Sequence, residues 1–145
     1  MQVTSTRFGA VDIRDEHLFT FTDGIPGFPA FQNAALVEVS ATDHFKNLEG
    51  TEGLFYLQST TDEDLAFMCV DPFWAIEGYE VDFDEKALGI ESPADALVLA
   101  IITLAEGSAT TANLKAPIIV NTNTRVATQI VLDDPRWTTR SPLGV

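Results

Sequence analysis

Apolar residues along this 145-residue chain come in short bursts separated by glycine, proline and small polar residues. Bursts of this length bounded by turn formers predict strands. Residues 3–8 and 11–13 flank Gly9-Ala10, a tight hairpin at the amino end. Asp15-Glu16-His17 turns the chain into a third strand, Leu18-Phe19-Thr20-Phe21, and Leu36-Val37-Glu38-Val39 is another. Residues 54–58 and 65–70 pair across the acidic turn Thr61-Asp62-Glu63-Asp64, and Asp71-Pro72-Phe73-Trp74 closes the second of them. Tyr79-Glu80-Val81-Asp82-Phe83 alternates apolar and acidic, the period of a strand with one face buried. Residues 97–104 form a long apolar strand, and Glu106-Gly107-Ser108 turns after it.

Between the strands, Asp23-Gly24-Ile25-Pro26-Gly27 is a loop in which each glycine can take a positive φ and Pro26 fixes the bend. Phe28 and Phe31 are expected to fold inward and anchor it. In the weakly patterned stretch 41–53, Thr42 or Asp43 can cap one helical turn through Phe45 and Leu48, ended by Gly50 and Gly53. Asp84 caps a short helix over 85–88 ended by Gly89, and Ser92-Pro93-Ala94-Asp95 is a second brief helical start.

Thr111-Ala112-Asn113-Leu114-Lys115-Ala116-Pro117 leads into Ile118-Ile119-Val120-Asn121. Proline has no amide donor, so Pro117 suits the start of a strand over 118–120. Asn121-Thr122-Asn123-Thr124 is a turn, since asparagine tolerates left-handed geometry and mimics turn hydrogen bonds. Residues 125–132 return as a strand, making a hairpin in the core. Close-spaced strands with one or two short helices predict a small, barrel-like, antiparallel all-β fold. With no linker and no internal repeat, residues 1–145 are expected to form one domain.

Composition narrows the function. A hydrophobic fraction of 46% fits a globular chain. No apolar run approaches the roughly 20 residues that span a bilayer. Met1 leads straight into Gln2-Val3-Thr4 without a basic or apolar leader, so no signal peptide is expected. The single Cys69 cannot form an internal disulfide and reads as a small buried hydrophobe. Together these suit a cytoplasmic chain, which is the expected location. The net charge of −14 repels phosphate backbones and anionic lipid heads, and favours a basic protein partner approached in a salt-dependent way. Between residues 62 and 95 eleven carboxylates face Lys86 alone.

Catalytic patterns are missing. There is no phosphate-cradling glycine loop, metalloprotease helix or nucleophile elbow. His17 and His44 lie apart from any metal-ligand partner. Asp62-Glu63-Asp64 and the group Asp82, Asp84, Glu85 lack the glycine and distant glutamate of a calcium loop, so they read as solvated acidic turns. No metal or cofactor is expected. Phe73 and Trp74, if extended, cannot both point into one core face. Either one reaches the surface beside Asp71 and Glu77, as a hot spot for a basic amphipathic partner, or both pack against the barrel end.

Several runs carry a family resemblance. Gly24-Ile25-Pro26-Gly27-Phe28, then Leu57-Gln58-Ser59 with Leu65-Ala66-Phe67 and Asp71-Pro72-Phe73, then Thr111 to Ile118 and Gln129-Ile130-Val131-Leu132, resemble the flagellar assembly factor FliW family in order and spacing. The closing run from Trp137 to Leu143 is similar to the family's, with Trp137 where tyrosine is common and Ser141 where histidine is common. The stretch 42–53 looks longer than usual. The resemblance implies a non-enzymatic, barrel-like partner switch, monomeric when free, that binds the translational repressor CsrA and flagellin so that flagellin synthesis matches export. The charge cluster and its aromatics nominate Asp62, Glu63, Asp64, Asp71, Phe73, Trp74, Glu77 and Glu80 for the surface facing CsrA. Gly24, Pro26, Gly27, Asn113, Pro117 and Asn121 are assigned to structure. Two rivals remain: a small-ligand-binding barrel, and a metal-dependent hydrolase using the mid-chain carboxylates.

Overall fold

The computed structural model describes residues 1–39, 53–103 and 110–143. The helical turn expected within 41–53, His44, and the turn at 106–108 lie outside the described residues.

The expected amino-terminal hairpin forms from β1 (Gln2–Ser5) and β2 (Gly9–Asp12), paired antiparallel. Its turn is Thr6 to Phe8, and Gly9 at φ 77° opens the return strand instead of sitting within the bend. A 3-10 turn, Asp15–His17, leads to β3 (Leu18–Phe21), and antiparallel neighbours follow: β4 (Asn33–Glu38), β5 (Leu54–Ser59), β6 (Ala66–Val70) and β7 (Ala96–Thr103). The remaining strands are β8 (Thr111–Ala112), β9 (Ile118–Asn121), β10 (Val126–Gln129) and β11 (Ser141–Pro142).

Among the described residues β3, β4, β5, β6, β7, β9 and β10 close into a seven-stranded barrel, because β7 pairs with β9 and β10 with β3. Closure removes the open edges that would template aggregation. One seam departs from the antiparallel expectation. β10 runs parallel to β3, Val126 opposite Thr20, because the β9–β10 hairpin enters the sheet as a unit. The hairpin's returning strand ends as a regular ladder at Gln129. Ile130 N and Leu132 N still donate to Pro117 O and Lys115 O, so pairing persists irregularly along the expected length.

Strand periodicity fills the barrel. Phe19 and Phe21, Ala34 and Leu36, Leu57, Cys69, Leu99, Ile118 and Val120, and Ala127 project into one cluster with Ile25 and Phe31. Each fully buried leucine or phenylalanine contributes about 1.5–3 kcal/mol. The outer faces are covered too. The β1–β2 hairpin packs Val3 and Ile13 over Ala35, Val37 and Tyr56. The segments bearing Tyr79, Ile90, Leu114 and Leu132 pack over Val70, Val98, Ala100 and Ile119. Covered on both faces, the central strands read as continuous apolar runs.

Three local expectations are corrected. Residues 79–83 alternate in burial but pair with no strand among the described residues; their apolar side chains pack on the outside of the barrel while the main chain has no neighbour for a ladder. Residues 85–89 form turns, not a helix: Asp84 Oδ1 caps Lys86 N and Ala87 N, but Gly89 at φ 67° reverses the chain before a second helical turn can close. Phe28 is 44% exposed, whereas Phe31 is buried as expected. The expected brief start at Ser92 forms as a 3-10 turn, Pro93–Asp95, and the α-helix among the described residues is α1 (Pro72–Ala75), with Pro72 at its first turn, where no amide donor is needed.

Candidate functional site: an acidic surface with an aromatic turn

The end of β6 builds the first part of the site. Asp71 Oδ1 accepts from Phe73 N at 2.9 Å and Trp74 N at 3.4 Å, capping α1. The helical turn puts both aromatics outside, Phe73 at 52% and Trp74 at 54% exposure, which matches neither alternative left by the sequence, because both rested on an extended backbone that α1 replaces. Trp74 lies against Gly53: a Cβ there would stand 3.0 Å from the indole ring, so Gly53 leaves room for it.

From Phe73 a chain of rings runs inward. Phe73 is 5.6 Å from Tyr79, Tyr79 is 4.8 Å edge-on to Trp137, and the Arg136 guanidinium covers Trp137 at 4.9 Å. Tyr79 Oη donates to Leu114 O at 2.7 Å, and burial pushes its hydroxyl up to about 12. Arg136 bridges Asp134 at 2.7 Å and Glu80 at 3.4 Å; its hydrogen bond to Asp134 holds that carboxyl below the usual range. A phenol whose folded-state pKa is raised contributes stability that is complete below its ordinary value near 10 and is lost as pH rises through about 12. Tyr79→Phe is therefore expected to cost about 1 kcal/mol at neutral pH through the lost Leu114 bond, and to flatten the alkaline loss of stability seen by urea titration at successive pH values.

The acidic turn is a separate feature. Gln58, fully buried, points Nε2 at the main-chain oxygens of Ser59, Asp62, Glu63 and Leu65, between 2.9 and 3.4 Å away. Ser59 Oγ accepts from Thr61 N and Asp62 N, and Asp62 Oδ1 accepts from Asp64 N. On the outside, Thr6 N donates to Glu63 O and an Arg7 guanidinium nitrogen to Asp64 O. The turn is thus held from within and without, with the carboxylates of Glu63 and Asp64 facing solvent. It sits at the opposite end of β6 from α1, about 16 Å away along five strand residues. The structure therefore brings Asp71, Phe73, Trp74, Glu77 and Glu80 to one end and Asp62, Glu63 and Asp64 to the other. Asp62 and Asp71 also work as caps.

The residues assigned to structure have visible tasks. Gly24 and Gly27 take φ of 67° and 86° around Pro26. Asn113 Oδ1 accepts from Ala116 N while Gln129 Nε2 donates to Ala116 O, so two carboxamides bracket the peptide before Pro117. Pro117 is buried at the foot of β9. Asn121 Oδ1 accepts from Asn123 N and Thr124 N, and its Nδ2 donates to Leu88 O and Gly89 O. Sequence reasoning misses Gln58 as an anchor, and Val131, Asp133 and Asp134 as surface. A polar residue inside an apolar strand is the available signal for Gln58.

Among the described residues no group of three or more His, Cys, Asp or Glu is arranged to hold a metal ion, and no helix is long and apolar enough to cross a membrane.

A family profile described as "FliW protein" matches residues 2–143. A flagellar assembly factor FliW from Treponema denticola is 38% identical over 144 residues, spanning 97% of this chain and 91% of the relative. One from Bacillus subtilis is 39% identical over 140 residues, spanning 94% and 92%. A crystal structure of the flagellar assembly factor FliW superposes with a TM-score of 0.82 at 28% identity, covering 100% of this chain and 98% of that one.

Proposed function

We propose a protein-binding partner switch from one premise: the chain belongs to the FliW family. In this reading it acts in the cytoplasm without catalysis. It binds the translational repressor CsrA and flagellin in turn, so that flagellin synthesis follows export. Two competing partners need only mutually exclusive binding, with the tighter or more abundant one setting the free pool. The observation that carries the reading is the α1 turn, where two half-exposed aromatics are fixed by a capping aspartate among carboxylates. Rigid exposed aromatics within an acidic rim are what a basic protein surface recognises best. The rival ligand-binding barrel needs an empty lumen, and Phe21, Phe31, Leu57, Leu99 and Ile118 occupy that space.

Calorimetric titration of CsrA into this protein at low and moderate salt tests the reading. Phe73→Ser with Trp74→Ser is expected to weaken binding about tenfold or more, at a modest cost in stability from the lost contacts with Tyr79 and Gly53. Glu63→Lys with Asp64→Lys, which spares the capping Asp62, is expected to weaken it a few-fold and flatten its salt dependence. Unchanged affinity and salt slope would remove the acidic turn from the surface. Absence of heat and of co-elution for the parent protein would overturn CsrA binding itself, and addition of flagellin to the complex then tests exchange.

A further inference from the structure

Val131 is 70% exposed, more than any other large apolar side chain among the described residues. It lines two adjoining depressions at the barrel surface. One is an apolar notch of about 400 Å³, walled by Ile25, Pro26, Phe28, Phe67 and Ile101. The other is a groove of about 500 Å³ that carries Glu80, Asp82, Asp133 and Asp134. Arg136 ion-pairs with Glu80 and Asp134, and Lys115 Nζ rests on Leu132 O, but Asp82 and Asp133 have no ion pair among the described residues. Polar recognition is also laid out in the notch. The contacts with Ala116 fix the orientation of both carboxamides, leaving Asn113 Nδ2 as a donor and Gln129 Oε1 as an acceptor without partners among the described residues.

We infer that this surface docks an amphipathic segment of a protein partner, with a bulky apolar side chain in the notch and a neighbouring Lys or Arg on Asp82 and Asp133. An apolar notch with a donor and an acceptor at its wall suits a side chain together with its own peptide group. The adjoining anionic groove selects the charge of the flanking residues. A second copy of this chain, with net charge −14, is electrostatically disfavoured as the occupant. The surface goes beyond the aromatic turn: Phe73, Trp74 and Glu77 line neither depression, and the groove meets that turn only through Glu80 and Asp134, the two partners of Arg136.

The test is an amide-resolved NMR titration with a short amphipathic peptide of Leu and Lys, beside an analogue in which Ser replaces Leu. Expected are shifts centred on Phe28, Ile101 and residues 131–133, with affinity lowered about tenfold by Val131→Asp and by Asp133→Lys. Both positions are exposed, so unchanged melting of the variants confirms that they fold. Equal binding of the Ser analogue, which would mean charge attraction alone, overturns the inference. So do shifts centred on Phe73 and Trp74, parent-like affinity in both variants, or concentration-dependent self-association through Val131 without peptide.

Discussion

Gly24→Ala is expected to lower stability by about 4 kcal/mol, while Gly27→Ala, three residues on and at a similar φ, costs only about 1–2 kcal/mol. Both residues are left-handed, at 67° and 86°, so both substitutions meet the same kind of backbone penalty. The difference is what a methyl group would touch. At Gly27 nothing lies within 4 Å. At Gly24 the new Cβ would be 2.7 Å from Pro29 O, 2.8 Å from Pro29 Cα and 2.9 Å from Phe28 O. These are main-chain atoms with no rotamer to escape into. The loop is also closed on itself, with Phe28 N donating to Ile25 O at 2.6 Å and Phe31 N to Phe28 O at 3.0 Å. Pushing Pro29 outward drags Phe31, which is fully buried and packs 5.5 Å from Phe21 and 5.1 Å from Phe67. Partial loss of that packing adds about 2–3 kcal/mol to the local strain. Urea unfolding of the two variants in parallel gives the comparison. Equal midpoints would mean that the loop yields without disturbing the core, and that the close approach at Gly24 has no energetic consequence.

The same loop marks how far the sequence could be read. Its glycines were legible because a dipeptide such as Pro-Gly admits few backbone solutions. The inward faces of β3, β4, β7 and β9 were legible because side chains alternate along a strand whatever it pairs with. Pairing itself was not. The parallel seam between β10 and β3, and closure through β7 and β9, depend on contacts between residues far apart in the chain, about a hundred positions at the β10–β3 seam, which no local pattern encodes. Alternation misled at 79–83 for a related reason: period two reports one buried face, and a segment lying flat on a barrel buries one face without joining a ladder. The candidate surface divided because charge along the chain is not charge in space. Asp62 to Asp64 and Asp71 are close in sequence, yet β6 lies between them. Asp133, in contrast, is brought beside Glu80 by the tail that follows β10.

Asn121→Ala is expected to cost about 3 kcal/mol, although the sequence alone marks Asn121 only as the start of a turn. Its side chain is 3% exposed and works in two directions. Oδ1 takes Asn123 N at 3.0 Å and Thr124 N at 3.2 Å, which bends the β9–β10 hairpin. Nδ2 gives to Leu88 O at 3.1 Å and Gly89 O at 3.2 Å, which ties the turn over 85–89 to the barrel wall. Alanine leaves two amides and two carbonyls to find other partners in a nearly dry site, and each unsatisfied group costs about 1–3 kcal/mol before water enters to relieve it. Asn121→Asp separates the two directions. A carboxylate can still accept from Asn123 N and Thr124 N, but it faces two carbonyl oxygens that it cannot satisfy. Protonated, it can donate to one of them, so folding raises its pKa above the ordinary value of about 3.9. Stability of that variant relative to Asn121→Ala should accordingly be greatest below the ordinary value and fall as pH rises through the raised one. Urea midpoints of both variants between acid and neutral pH measure this directly. Parallel curves for Asp and Ala would mean that the contacts with Leu88 and Gly89 contribute nothing, and that Asn121 serves the hairpin alone.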